Sequence, residues 1–355
     1  MGMSTQKQYG FGIVGAGVIA QFHAKAIAEI SNATLKGIYT RTASKAEAFA
    51  GQFSCEAYPS LEAMLGQADI DIVCICTPSG IHLEPALTSI AAGKHCLIEK
   101  PLEVTVDRCD QIIRAARGAG VKTGVIFPSR FYPASQRVKE ALDQQRFGDL
   151  VLGDAYVKWH RSEAYYRSGA WRGTWQFDGG GALMNQGIHS VDLLQWYMGP
   201  VASVQAVRAN ALHKSIEVED TIVALVQFAN GALGTIECST AVFPGSLKRI
   251  EIRGTTGSAV LEEDRLIEWA FQQAQTEDDS VRRALEADHA SSGGASDPKA
   301  IRFTGHQRQI EDLIGAIDTD GTPAVTVEEG RKSVAIIEAI YESARTGKTI
   351  TVKEN

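Results

Sequence analysis

The sequence predicts an α/β protein: a doubly wound parallel sheet at the N-terminus, then a second, α+β domain built on an antiparallel sheet. Three observations predict it. Short, almost wholly apolar runs alternate with helical patterns over the first ~125 residues, as in parallel sheets covered on both faces. A glycine-rich turn, Gly15-x-Gly17-x-x-Ala20, separates the first such run from the first helix. Beyond Pro128, strand-like runs follow one another with few helices between them.

Taken in order, the first domain (1–127) has strands at Tyr9–Val14, Leu35–Tyr39, Asp71–Cys76, Cys96–Ile98 and Thr123–Phe127. Helical patterns fall at Val18–Ile30, Ser44–Phe53, Leu83–Ala92 and Asp107–Ala119. The second domain (128–355) opens with a helix at Ala134–Gln144. Strands follow at Val151–Trp159, Val201–Val207, Thr221–Phe228, Leu233–Ser239, Arg249–Arg253 and Ala259–Glu262. Asn230-Gly231 and Thr256-Gly257 signal hairpins. One helix, His189–Met198, interrupts the strands, and two more, Gln307–Ile317 and Val327–Ala344, close the chain. The polar stretch Gln275–Ala300 reads as a mobile insertion.

Composition narrows the function. The 355 residues are 44% apolar and 22% charged, with a net charge of -7, so no global field draws nucleic acid or an anionic membrane. No apolar run approaches the ~18 residues of a membrane span. The start, Met1 to Gln8, is short and polar, unlike a secretory signal. Six cysteines include no CxxC pair or zinc spacing, which points to a reducing, cytoplasmic setting and no metal.

The glycine turn follows a strand and opens a helix, the context that gives this motif meaning. Gly15 makes the turn, Gly17 lets backbone approach a pyrophosphate, and Ala20 lets the helix pack on the strand. The helix start at Val18 and Ile19 then offers free N–H groups and a positive dipole end to the phosphates. A glycine turn without a ligand is the competing reading. The second strand ends Tyr39-Thr40-Arg41-Thr42 with no acid to take a ribose 2′-hydroxyl. Thr40 and Arg41 suit a 2′-phosphate, so NADP is favoured over NAD. Thr77 and Pro78 follow the third clear strand beside the expected nicotinamide path, and His82 reads as a positioning or packing residue.

Two clusters carry the chemistry. Glu99-Lys100-Pro101 ends the run His95-Cys96-Leu97-Ile98. A lysine at the carboxyl end of a buried strand is costly without a partner or a task, and ligands of open α/β sheets bind at such ends. The second cluster is Gly179-Gly180-Gly181 through Asn185, His189 and Asp192. Helical spacing puts Asn185 and His189 on one face. His189 suits general acid–base work, against the plainer reading of a hydrogen-bonded helix histidine. Upstream, aromatics interleave with cations from Lys158 to Trp175, including Arg161, Tyr165, Tyr166, Trp171 and Arg172. That mixture binds sugars and anions, and is also common at protein interfaces.

With these motifs, Cys76-Thr77-Pro78, Arg130-Phe131-x-Pro133 and the closing Ile340-Tyr341-x-Ser343-Ala344, the chain resembles the Gfo/Idh/MocA oxidoreductases. The stretch from Tyr165 to Gln186 resembles the branch with UDP-N-acetylglucosamine 3-dehydrogenase-like enzymes. The resemblance implies an N-terminal Rossmann domain and a C-terminal domain with a large, mostly antiparallel open sheet. It implies NAD(P)-dependent hydride transfer between nicotinamide and a secondary alcohol or ketone of a sugar, cyclitol or nucleotide-sugar. Lys100 and His189 fall on the family's catalytic lysine and histidine. Gly15, Gly17, Val18, Ile19, Thr40, Arg41, Thr77, Pro78, His82, Glu99 and Lys100 are then expected at the cofactor. Arg130, Tyr166, Trp171, Arg172, Asn185 and His189 are expected at the substrate. A homodimer or homotetramer through the C-terminal sheet is also expected. Many members carry Asp four residues before the histidine; here Asn185 stands, and an amide cannot accept a proton in the same way. The rival reading is a non-catalytic dinucleotide sensor on the same fold.

Overall fold

The computed structural model describes residues 7–276, 278–281 and 303–353. The chain forms two compact units, Met1–Pro128 with Arg302–Arg331, and Ser129–Ile301 with Lys332–Asn355. A single cut after residue 127 therefore misassigns one element, the helix Thr304–Asp318, which belongs to the first unit.

The first unit holds six parallel strands: β1 (Tyr9–Val14), β2 (Ala33–Tyr39), β3 (Glu56–Ala57), β4 (Ile72–Ile75), β5 (His95–Ile98) and β6 (Thr123–Val125). Their order is β3-β2-β1-β4-β5-β6. The chain reverses its direction of travel across the sheet between β1 and β4, the place where such sheets bind ligands. Every residue of β1 and β4 is buried, which explains their unbroken apolar sequence. Helices return the chain after most strands. Val106–Ala119 is begun by Thr105, whose side chain accepts the Arg108 N–H, and ended by Gly120 at φ 66°. Ile310, Leu313 and Ile314 of the helix Thr304–Asp318 pack into the same core as Phe11, Ile13 and Ile27. Tyr9 Oη donates to Asp318 at 2.5 Å. Distance in sequence hid this partnership.

The second unit holds an eight-stranded sheet: β7 (Leu150–Lys158), β8 (Val201–Ala209), β9 (Thr221–Phe228), β10 (Leu233–Ser239), β11 (Arg249–Gly254), β12 (Gly257–Glu262), β13 (Arg265–Phe271) and β14 (Ile350–Thr351). Their order is β13-β12-β11-β7-β10-β9-β8-β14. All pairs are antiparallel except β7 with β10. Both hairpin signals lie at real hairpins, β9–β10 and β11–β12. β3, β13 and β14 went unread; β3 and β14 are two residues each and carry no period, and β13 lies beyond the last strand expected from the sequence. The helix Ile188–Met198 packs on β7 and β11. On the other face, β9 alternates buried and exposed residues and presents Val223 and Leu225 to solvent, beside Val207 of β8 and Leu233 of β10.

Most of the expected insertion Gln275–Ala300 lies outside the described residues. Its start is anchored: Asp278 is buried and accepts from Arg146 Nη2 and Trp269 Nε1, each at 2.7 Å. Among the described residues, no helix is long and apolar enough to cross a membrane.

Candidate active site

The glycine turn is a short link from β1 to the helix Val18–Ala28. Gly15 has φ 100°, and a Cβ there would stand 2.6 Å from the Cys76 carbonyl oxygen, so only glycine fits between β1 and the end of β4. Gly17 precedes the helix, and a Cβ on it would meet no atom within 4 Å. The helix start has no side-chain cap and no acid in its first turn. Its N–H groups and dipole thus face open space without a competing carboxylate, which fits a pyrophosphate. Val18 is exposed and Ile19 half-buried at this opening, whereas Ala20 is buried against the sheet. At the end of β2, Thr40 is half-buried and Arg41 exposed, with no acid beside them.

Thr77 and Pro78 are half-buried beyond β4, and Thr77 Oγ1 donates to the Ile81 carbonyl at 3.0 Å. His82 is not at an open surface. It is buried, with Nδ1 2.8 Å from the Pro101 carbonyl and Nε2 2.9 Å from the Thr77 carbonyl. It ties the loop after β4 to the turn after β5, which suits a positioning role.

Glu99 is likewise engaged within the first unit. It is buried, and its Oε1 lies 2.8 Å from His23 Nε2 and 3.6 Å from His306 Nε2. Its Oε2 accepts the Lys100 N–H at 3.2 Å. Burial alone raises a carboxyl pKa, but the hydrogen bonds to His23 and His306 outweigh it and hold Glu99 well below the usual carboxylate range. Burial lowers the His23 pKa, against the pull of Glu99, so His23 serves as a neutral donor. These three residues bring one ligand atom each to within 4.8 Å of one another. The 2.8 Å His23–Glu99 separation and the Lys100 N–H on the same carboxylate are those of a hydrogen-bonded group. It joins the helix after the glycine turn, the end of β5 and the helix Thr304–Asp318. Lys100 itself is half-buried at the end of β5.

In the second unit, Ala182–Gly187 forms a π-helical turn that runs into the helix Ile188–Met198. Asn185 and His189 are half-buried, while residues 186–188 between them are buried. The turn is clamped by Glu219, two residues before β9. Its Oε2 accepts the Gly181 N–H at 3.0 Å, and its Oε1 accepts the Leu183 N–H at 2.9 Å and Tyr341 Oη at 3.0 Å. A Cβ on Gly181 would stand 1.7 Å from the Glu219 carbonyl oxygen. The glycines therefore admit this neighbour. Burial pushes Glu219 up to about 7, against the opposing N–H donors.

Asn185 Nδ2 donates to Asp178 Oδ1 at 2.5 Å, and Asp178 Oδ2 accepts the Gly173 N–H at 2.9 Å. A buried carboxylate thus stands beside the position where Asn replaces Asp. Two residues expected at the substrate are held by partners within the protein. Arg130 is buried and paired through two bonds with Asp192, Nε to Oδ2 at 2.8 Å and Nη2 to Oδ1 at 2.7 Å. Tyr166 is buried, with its hydroxyl 2.7 Å from Thr240 Oγ1 and its ring 4.6 Å from that of His213. The neighbouring Tyr165 meets the arginines instead: Arg172 Nη1 and Gln186 Nε2 donate to its hydroxyl at 2.6 and 2.9 Å. Trp171 is half-buried, with the Arg172 guanidinium 4.4 Å from its ring centre. His23, His306, Asp178, Glu219 and Tyr341 escaped the sequence reading because their partners are 36 or more residues away or lie in loops; Tyr341 marks itself only as part of a closing motif.

A parallel sheet with an uncapped, glycine-led helix at its crossover and a lysine at a strand end defines a dinucleotide-dependent oxidoreductase. Comparison with known proteins agrees. Residues 9–127 match the family model described as "Oxidoreductase family, NAD-binding Rossmann fold", and residues 135–260 match the "GFO/IDH/MocA C-terminal domain". The chain belongs to the Gfo/Idh/MocA oxidoreductase family and is an NAD-dependent enzyme. The WlbA dehydrogenase from Bordetella pertussis, solved in complex with NADH and UDP-GlcNAcA, is similar at 33% identity, with 99% of each chain covered and a TM-score of 0.90. The Chromobacterium WlbA structure, with the same two ligands, is 31% identical over 99% of this chain and 98% of that one, with a TM-score of 0.87. Inositol 2-dehydrogenase of Rhizobium meliloti is 27% identical over 96% of this chain and 98% of its own length.

Proposed function

We propose that the chain interconverts a secondary alcohol and a ketone on the sugar of a nucleotide-sugar. The observation that carries this is Lys100, held at the end of β5 by a buried Glu99 group that also grips the helix after the glycine turn. The WlbA complexes with NADH and UDP-GlcNAcA support the substrate class. They also favour a catalyst over a dinucleotide sensor.

The residues divide the work as follows. Gly15, Gly17, Val18 and Ile19 receive the pyrophosphate, and Thr77 and Pro78 border the nicotinamide. Bound nicotinamide supplies the hydride acceptor. Lys100 holds the substrate oxygen and stabilises the charge that develops on it. His189 takes the hydroxyl proton, or returns it in reduction. Asn185, oriented by Asp178, hydrogen-bonds the sugar. Thr40 and Arg41, without a neighbouring acid, support use of NADP(H) beside NAD(H). The open apolar face at Val207, Val223, Leu225 and Leu233 supports a homodimer or homotetramer through the sheet. All six cysteines are free, as suits a cytoplasmic location.

The test is turnover of UDP-GlcNAcA with NAD, alongside fluorescence titrations with NADH and NADPH. Reduced dinucleotide should appear, and both cofactors should bind. A dinucleotide that binds tightly but is never reduced by any of a panel of sugar-nucleotides would overturn the reading; failure of NADPH alone removes only the second cofactor.

A further inference from the structure

One hydrogen bond in the second unit decides how an amide and a carboxylate share a place. Asn185 Nδ2 donates to Asp178 Oδ1 at 2.5 Å, and Asp178 Oδ2 accepts the Gly173 N–H at 2.9 Å. Asp178 is buried, at 2% exposure, whereas Asn185 is half-buried. The loop that carries Asp178 is held by its own bonds. The Asp178 N–H donates to the Thr174 carbonyl at 3.1 Å, Thr174 Oγ1 donates to the Trp171 carbonyl at 2.7 Å, and the Gly173 carbonyl accepts the Glu217 N–H at 2.9 Å. A carboxylate only accepts hydrogen bonds, so the amide nitrogen of Asn185 faces Asp178 and its Oδ1 is turned away. The charged and titratable groups around the pair are Tyr165, Tyr166, Arg161 and Arg172 upstream, Glu219 under the turn, and His189 beyond it. Burial raises the pKa of the Tyr165 and Tyr166 hydroxyls, and the charge of Asp178 adds to the rise in both; Arg172 and Arg161 oppose it at Tyr165.

We propose that Asp178 is a positioning residue that carries the negative charge of this site one contact back from the substrate, and that it makes an uncharged amide obligatory at position 185. The inference rests on the reading above, in which Asn185 meets the sugar. A carboxylate at position 185 would stand in hydrogen-bond contact with Asp178. Two such groups share a proton instead of both ionising. The amide avoids that conflict. It spends an N–H on Asp178, which fixes its orientation, and it carries no charge at any working pH. Proton transfer at this turn is thereby left to His189, four residues on.

The experiment exchanges the two groups and reads turnover of UDP-GlcNAcA with NAD, relative to wild type at each pH. Asn185→Asp should lower turnover by about 10- to 100-fold at about pH 8 and by less at about pH 5, where the pair keeps its shared proton. Asp178→Asn added to Asn185→Asp restores a carboxylate–amide pair with its ends reversed. The double variant should recover at least about 10-fold over Asn185→Asp at about pH 8 and return the wild-type pH profile, whereas a merely structural Asp178 would make the two losses add. Melting temperature gives a readout that needs no turnover. The shared proton raises one pKa of the folded Asn185→Asp variant, so its stability should fall against wild type as pH rises from about 5 to about 8, and the double variant should not show that fall. If wild type turns over no sugar-nucleotide, the dehydrogenase reading fails while the melting curves still decide the pair. If Asn185→Asp does not fold, recovery of folded protein in the double variant is the same rescue. A double variant no better than Asn185→Asp, or wild-type pH profiles of rate and melting in Asn185→Asp, would overturn the proposal.

Discussion

The two units hold their functional side chains in opposite electrostatic settings. In the first, Lys100 follows a buried anion: Glu99 is kept ionised by His23 and His306, and its second oxygen takes the lysine's own N–H. In the second, the turn leading to His189 hangs on Glu219, a carboxylate that burial pushes up to about 7, and lies beside a cluster of arginines. The first arrangement is closed on itself and needs no substrate to complete it. The second holds Asn185 on the buried Asp178 and contains an acid near neutrality, so it answers to what is bound and to pH. Hydride-transfer chemistry common to a family suits the first kind of setting, and choice of substrate suits the second.

The largest expected effect separates the units by role. Lys100→Ala and His189→Ala should each slow turnover by about 10²- to 10⁴-fold. NADH dissociation constants from fluorescence should barely move in His189→Ala, whose cofactor-binding unit is untouched. A comparable loss of NADH binding in that variant would show that the division of labour is wrong.

A smaller effect follows from Tyr341→Phe, which deletes the hydroxyl that donates to Glu219 and accepts the Met184 N–H. Loss of a hydrogen bond to a buried carboxylate costs about 1.5–3 kcal/mol. Thermal unfolding should register that loss, and sugar KM should rise while NADH affinity holds. An unchanged KM would mean that the π-helical turn does not depend on this clamp.

The smallest effect is the most diagnostic of the contrast. Glu99 is depressed, so its stabilisation is complete above the unfolded value of 4.5 and is lost as pH falls below it. His23, also depressed, acts in the same direction, with its contribution complete above 6.5 and lost as pH falls. Glu219 is raised, so its contribution is complete below 4.5 and is lost as pH rises to about 7. Melting curves from about pH 2 to about pH 8 should therefore show Glu99→Gln flattening the acid limb and Glu219→Gln flattening the neutral limb. Identical profiles for both variants would erase the contrast.

The same contrast explains what could be read in the sequence. The glycine turn, the buried strands and Lys100 are local features: apolar runs, a φ of 100° at Gly15 and a strand-end cation each leave a mark within a few residues. Asn185 and His189 stood out for the same reason, as a four-residue spacing, which the structure divides between the π-helical turn and the helix it runs into. For Glu99 and His82 the sequence marked the residue but not its partners, because it cannot show that a polar side chain turns to His23 or to two carbonyls. Tyr165 and Tyr166 are adjacent and alike, and only the packing of Tyr166 on His213 decides which one meets the arginines. The partner of Arg130 was hidden too: Asp192, 62 residues on, accepts from two of its three guanidinium nitrogens.

The central claim is that a sugar carbinol gives up its hydrogen to the bound dinucleotide. The direct measurement uses UDP-GlcNAcA deuterated on its ring carbinol carbons, incubated with the protein and NAD, with mass analysis of the dinucleotide. The account predicts one deuterium in the reduced dinucleotide and none with Lys100→Ala over the same time. Tight dinucleotide binding with no deuterium transferred from this or any other sugar-nucleotide would contradict it.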